Sequence, residues 1–557
     1  MTDALSQIRT RNTVTPQTEQ ADSRQVKNSA GGYSFEVAGE DRIKRFLTLG
    51  TDGGSYYKGE RELTKENAAV VIDWAVNRSS DLVLIVRDIS VAGRAPKQNP
   101  ALFALAAVFA FGDEAGKKLA QVYFNDIVRT GTHLFTFVGY AEQFRGWGRG
   151  LKKAVGSWYL GKDVTDLSYQ MVKYRQRGNW NHQNVLRQAH VGWDRYVGGE
   201  RSALLNWASP GTRYHGENGK PGAPRRGVKA VERVGWVAPF EIAQSLGKNP
   251  PTGPRAKTVF ADLIREFPGL PWEALPDVAL TYPETWEALL ENVMPITALI
   301  RQLPRLTNLG LAGKGTVLSI VSQLTDEDKL RKGRVHPVKL LYALKTYAQG
   351  RSSGQGGSTW TPSQRITDAL DAAFYLSFGT MEAAGKRTML AIDVSASMTW
   401  PQNMCGVLQA REGATAMAMA TAATEPEYLI TAFSHGLTEM AVSPRRRLDD
   451  NLRTVESMYA GGTDCSLPMT WAQANKREID TFVVYTDNET YAGRAHPHEA
   501  LRQYRQATGI PARLVVAGMS SGGFTIADPS DKGMLDVAGF DSDTPSVISD
   551  FSRGDFG

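Results

Sequence analysis

Cysteine is nearly absent. Only Cys405 and Cys465 occur in 557 residues, far too few for a disulfide framework in a chain this size. Long apolar runs are missing too. The longest, Ala101 to Phe111, falls well short of the roughly 20 residues that cross a bilayer. The N-terminal residues are polar with no signal-peptide core, so an intracellular, cytoplasmic protein with no membrane partner is expected. The eight histidines (His133, His182, His190, His215, His336, His435, His496 and His498) are scattered without zinc-ligand spacing. No phosphate-cradling P-loop is present.

What remains is the composition of a globular protein, 42% hydrophobic and 22% charged, long enough for three or four domains of roughly 150 residues. Its charge is uneven. Residues 386–557 carry 15 Lys+Arg and 21 Asp+Glu, leaving 49 and 37 for residues 1–385. A polyanion would therefore meet the N-terminal part.

The clearest chemistry lies in Met389-Leu-Ala-Ile-Asp393-Val-Ser395-Ala-Ser397-Met398. A short apolar strand ends in one carboxylate and two hydroxyls, a hard all-oxygen set suited to Mg²⁺. Gly461-Gly-Thr463-Asp464 adds a hydroxyl on a glycine-rich loop, and Phe482-Val-Val-Tyr485-Thr-Asp487 is a second strand ending in a carboxylate. Asp393, Ser395, Ser397, Thr463 and Asp487 together resemble the metal-ion-dependent adhesion site of von Willebrand factor A domains. A helical stretch, Ala410 to Ala423, and apolar runs Tyr428–Phe433 and Ala512–Ala517 predict an α/β, Rossmann-like sheet with ligands beyond its strand ends. No base is paired with either serine in sequence, so a binding site is expected there rather than a catalytic one.

Residues 1–32 read as a mobile polar tail, 33–385 as a helical part and 386–557 as the A domain. Thr281 and Glu284 form a capping-box pattern ahead of Trp286, Leu289, Leu290 and Val293. Ser209–Gly227 and Gln349–Pro362 read as long flexible loops. The stretch Val164 to Arg177 predicts a helix with Lys173 and Arg177 on its polar side. Gly178-Asn179 ends it, Asn181 caps the next helix, and Gln183, Arg187 and His190 form that helix's polar face.

Lys173-Tyr-Arg-Gln-Arg177-Gly-Asn-Trp180-Asn-His182-Gln-Asn-Val-Leu-Arg187-Gln-Ala-His190 closely resembles a segment of the Ro ribonucleoprotein autoantigen family, which joins a TROVE domain to a von Willebrand A domain. Arg45–Tyr57, Gly131–Phe137, Arg334–Pro337, Ala460–Gln473, Phe524–Pro529 and Gly533–Asp536 carry the same likeness over roughly residues 40–557. The alanine- and arginine-rich composition resembles that of a bacterial member, a Ro sixty-related protein.

The resemblance implies a mostly α ring of HEAT-like helical repeats closed by the A domain. It also implies a monomer that binds noncoding Y RNA on its outer face and admits single-stranded 3′ ends of misfolded RNA to a central hole. Lys173, Arg177 and His190 match family positions tied to Y RNA. Arg175 stands where relatives commonly have lysine, and Arg187 is a further basic neighbour. Arg42, Lys44, Arg45, Tyr56, Tyr57 and Lys58 are candidates for the hole. The family also implies an exoribonuclease partner such as polynucleotide phosphorylase. A protein-recruitment scaffold and a metal-dependent nuclease are the alternatives to this noncatalytic RNA-binding reading.

Overall fold

The computed structural model describes residues 14–554 except 38, 50–59, 94, 96, 192–198, 210–233, 254, 293, 314, 334, 336, 352–357, 378–382, 400–408, 459–460, 521 and 539–543. Strands β1 (Gln25–Lys27) and β2 (Tyr33–Glu36) precede the helical part, and β3 (Gln176–Arg177) and β4 (Trp180–Asn181) interrupt it. Strands β5 (Thr388–Asp393), β6 (Tyr428–Phe433), β7 (Leu437–Glu439), β8 (Thr481–Thr486), β9 (Arg513–Gly518), β10 (Phe524–Thr525) and β11 (Met534–Ala538) follow it.

The helical part is built on two cores. The first gathers residues from Ile43 to Val237 around the helix Asn99–Phe111. That helix is the longest apolar run in the sequence, and its all-round hydrophobicity matches its central, buried place. The second core begins with Val172 and Phe240, runs through Phe374, and continues without a break into the A domain. Both ends of the helical part dock on that domain. Helix Gly39–Leu49 reaches β11 through a buried Arg45–Asp536 ion pair. At the other end, Lys345 pairs with Glu412 and Asp368 with Arg447. The chain of helices is thereby closed into a ring.

The A domain holds a six-stranded sheet in the order β11-β9-β8-β5-β6-β7, parallel except for the edge pair β6–β7. Period-2 alternation sends Leu390, Ile392, Val483 and Tyr485 to the face that joins the helical core. Met389, Ala391, Phe482 and Val484 go to the other face, under helices Leu467–Ala474 and Pro497–Thr508. A parallel sheet covered on both faces explains why its strands read as continuous apolar runs.

The polar N-terminal stretch departs from its reading as a tail. Residues 1–13 lie outside the described residues, but residues 14–36 are folded onto the A domain. β2 pairs antiparallel with β1 on one side and with β10 on the other. Gln17 is fully buried: its Nε2 donates to Asp464 Oδ1 (2.9 Å) and the Ala495 carbonyl (2.8 Å), while its Oε1 accepts from Thr490 Oγ1 (2.6 Å) and Gly493 N (3.0 Å). Composition counted these polar residues as solvent-seeking, whereas their hydrogen bonds are made to loops more than 400 residues away.

One local reading is also corrected. The helix after Thr281 is Pro283–Glu291, and no side chain caps its first amides. Pro283 sits in its first turn, where a missing N–H costs nothing, and Thr281 Oγ1 instead donates to the Val278 carbonyl. Trp286, Leu289 and Leu290 are buried as expected, and Val293 lies outside the described residues. The loop after Ala348 is closed at its base by Trp360 N donating to the Gly350 carbonyl at 2.9 Å; its residues 352–357, like 210–227 of the earlier loop, lie outside the described residues.

Candidate RNA-binding surfaces and cation site

Asp163 starts the helix Val164–Lys173 by accepting from Thr165 N (2.8 Å) and Asp166 N (3.3 Å). The helix stops at Lys173, one turn short of the reading that carried it to Arg177. Beyond it the chain makes a tight hairpin, pairing Gln176 with Asn181 and Arg177 with Trp180. Gly178 turns it at φ +56°, a conformation glycine adopts without a Cβ penalty. Arg177 therefore projects from a strand rather than sharing a helical side with Lys173. Asn181 then caps the helix His182–Ala189, accepting from Asn184 N at 2.9 Å.

A buried histidine fastens these pieces together. His182 Nε2 lies 2.9 Å from the Tyr174 carbonyl, and its Nδ1 lies 2.9 Å from Tyr159 Oη. A carbonyl only accepts, so Nε2 carries the proton and Nδ1 accepts from the tyrosine. Burial holds this imidazole down at about 4, so it is neutral at physiological pH.

Arg175, Arg177, Arg187 and His190 are exposed on this unit. The Arg175 guanidinium also sits over the Phe240 ring at 5.1 Å. Lys173 is less outward than a helical wheel suggests. It is half-buried, 3.3 Å from Tyr169 Oη and over the Tyr169 and Tyr174 rings.

The residues read as lining the hole are placed otherwise. Arg45 is fully buried against Asp536, Arg42 is buried and paired with Glu66, and Lys44 pairs with Glu40 on the surface. Tyr56, Tyr57 and Lys58 lie outside the described residues. A different basic surface lies on two helices of the second core. A cavity of about 1210 Å³ between helices Ile296–Asn308 and Pro337–Ala348 is lined by Arg301, Arg305, Lys339, Tyr342 and Trp360, among others. Surrounding protein, then Arg301, then Lys97 hold the Lys339 ammonium below its ordinary range. His133 is pushed down to about 3 by burial, Arg129, Lys339 and Arg177. Cations from the two helical cores thus lie near one another. The four-residue spacing of Arg301 and Arg305, which puts them on one helix face, is the signal by which a sequence reading could have found them.

At the C-terminal ends of β5 and β8, three loops converge. Asp393, Ser395, Ser397, Thr463 and Asp487 are all buried. Asp393 Oδ2 accepts from Thr486 Oγ1 (2.6 Å), its Oδ1 from Ser395 N (2.9 Å), and the Ser395 and Ser397 hydroxyls are 3.1 Å apart. The Thr463 loop is held to the serine loop by Ala396 N to the Gly461 carbonyl (3.2 Å), and the Thr463 carbonyl accepts from Tyr491 N and Ala492 N. Burial, then Asp487, pushes Asp393 up to about 7, and burial raises Asp487 as well. Asp487 Oδ2 is buried without a hydrogen-bond partner among the described residues. An orphaned carboxylate oxygen beside a second buried carboxylate and two hydroxyls fits a hard divalent cation.

Sequence reasoning missed the supports of these loops: Gln17, Asp464 and Glu489, whose carboxylate accepts from Ala30 N at 3.1 Å. Their bracing contacts, Gln17 with Asp464 and Ala30 with Glu489, join residues distant in the chain, which no local pattern marks.

Two family models match. The Ro60 vWA domain covers residues 387–552, and the TROVE domain covers residues 26–204 and 269–356. The chain is 36% identical to the RNA-binding protein RO60 of Deinococcus radiodurans over 97% of each chain. It is 34% identical to the RNA-binding protein RO60 of Caenorhabditis elegans, over 97% of this chain and 91% of that one. The crystal structure of the Deinococcus radiodurans RO (RSR) protein superimposes with a TM-score of 0.66 at 33% identity, covering 92% of this chain and 99% of that one.

Proposed function

The chain belongs to the Ro60 family, and on that premise we propose that it is a noncatalytic RNA-binding protein serving RNA quality control. The observation that carries the reading is the hairpin–helix unit from Lys173 to His190, on which Arg175, Arg177, Arg187 and His190 are all exposed. Planar guanidiniums suit phosphate oxygens, and the buried Tyr159–His182–Tyr174 chain holds them in place. This outer unit holds a structured noncoding RNA of the Y class. Single-stranded 3′ ends of misfolded RNA occupy the interior cations and aromatics around Arg301, Lys339 and Tyr342, which offer stacking and phosphate contacts without base-specific geometry.

The A domain takes Mg²⁺ through Asp393, Ser395, Ser397, Thr463 and Asp487. When bound, the ion offsets the two buried carboxylates and offers a position to a partner's acidic group. An exoribonuclease of the polynucleotide phosphorylase kind fits this recruiting role. The Ser395 and Ser397 hydroxyls bond each other and lie against the Asp393 and Asp487 carboxylates, an all-oxygen set that favours holding a cation.

Competition between a duplex with a single-stranded 3′ tail and the same duplex with blunt ends tests the interior role. The tailed RNA is expected to bind much more tightly at fixed salt. Equal affinities reduce the interior to general phosphate attraction.

A further inference from the structure

Beside the basic unit lies a pocket of about 290 Å³ lined by Glu142, Asn179, Trp180, Asn184, Arg187 and Gln188. We propose that it is a nucleobase pocket, which takes one unpaired, amine-bearing base of the bound RNA, guanine best of all. The inference rests on the outer face being an RNA surface and adds to it what that surface reads.

The argument is geometric. In the β3–β4 pair, Arg177 stands directly opposite Trp180. Directly opposed residues of an antiparallel pair project their side chains to the same face, roughly 5 Å apart at Cβ. A phosphate on Arg177 therefore leaves its nucleotide within reach of the indole. Trp180 is half-buried, set against the first helical core and edge-on to Trp147 with ring centres 5.8 Å apart. An indole fixed in this way is a stacking platform that needs little ordering on binding.

The other walls are polar and come from three separate elements. Glu142 is exposed near the end of helix Gly131–Phe144, Asn179 sits in the hairpin turn, and Asn184, Arg187 and Gln188 lie on helix His182–Ala189. Three side-chain amides offer both donors and acceptors to a base edge. The carboxylate is the discriminating group. It only accepts, so it favours an edge with adjacent N–H donors, and guanine presents N1–H and N2–H together. A carboxylate in the middle of a phosphate-binding face would otherwise weaken RNA binding. Unpaired bases splayed onto aromatic rings and read at their edges are the usual source of sequence selectivity on RNA.

The test uses the full-length protein and a hairpin RNA with a single-nucleotide bulge, made with guanine, inosine, uracil or an abasic site at that position. Guanine is expected to bind best, with inosine and uracil weaker and the abasic hairpin weakest by roughly tenfold, the worth of one stacked base. Glu142→Gln should level guanine and uracil on top of a strengthening shared by all four hairpins through the lost negative charge, and Trp180→Phe should keep part of the preference. Equal affinity for guanine and abasic hairpins in the unaltered protein overturns the pocket, and that comparison needs no protein variant to fold. Loss of all four hairpins in Lys173→Ala/Arg177→Ala/His190→Ala supports the outer-face reading on which the pocket rests. Unchanged binding of all four by that variant removes the outer-face reading and the pocket together.

Discussion

Cutting the ion pair that closes the ring should open it at a defined place. Arg45 is fully buried, and the Asp536 side chain is 8% exposed. Arg45 Nε donates to Asp536 Oδ2 at 3.0 Å, and its Nη1 donates to the Gly522 (3.2 Å) and Phe524 (2.8 Å) carbonyls. Asp536 accepts in addition from Thr525 Oγ1 at 2.8 Å. Arg45→Met leaves a buried carboxylate with one hydroxyl and two carbonyls without their donor. Breaking a buried pair from one side costs about 3–5 kcal/mol, against at most about 1 kcal/mol for a surface pair. Arg45→Met/Asp536→Leu should recover most of that loss, because a buried pair replaced by apolar side chains is often neutral. Urea titration gives the magnitude. Hydrogen exchange gives the place, with protection lost first in helix Gly39–Leu49 and β11. A loss below about 1 kcal/mol for Arg45→Met, or exchange unchanged at that junction, would refute the closure argument.

Three further outcomes are expected. Calorimetry should detect Mg²⁺ binding by the unaltered protein and none by Asp487→Asn, while in chelator the variant should be the more stable, since it removes one of two facing buried carboxylates; equal Mg²⁺ heats contradict the site. Gln17→Ala should cost roughly 1–3 kcal/mol by leaving buried partners unpaired, and should weaken Mg²⁺ binding through the loops it braces; unchanged stability would return residues 14–36 to the role of a tail. His182 is depressed from 6.5 to about 4, so below pH 6.5 the unfolded chain takes up a proton that the folded chain refuses, and stability falls as pH drops from 6.5 toward 4. The loss is about 2 kcal/mol at pH 5, and His182→Gln should show that much less acid sensitivity in urea titrations at pH 7 and pH 5.

The A domain was largely legible because its chemistry and its strands coincide. Buried apolar runs ending in Asp393 and Asp487 are at once the sheet centre and the two carboxylates of the site. β10 and β11 were not read, since a two-residue strand and Met534–Ala538 carry too little pattern. The end of the helix at Lys173 was misplaced because periodicity cannot tell a last helical turn from a hairpin arm of the same polarity. Lys97, Arg129, Arg301 and Lys339 belong to stretches far apart in the chain, so no local pattern groups them. Arg45 shows the converse: a basic residue that reads as a nucleic-acid contact is instead the buried half of the ring closure.

The most direct test of the account is RNA binding measured across a salt series for the unaltered protein and for Lys173→Ala/Arg177→Ala/His190→Ala, with folding checked by circular dichroism. Affinity for a structured hairpin RNA should fall linearly in log–log form with salt, and the triple variant should bind on the order of 100-fold more weakly with a slope reduced by roughly 2. A folded variant with the same affinity and the same slope would contradict the claim that this face holds RNA.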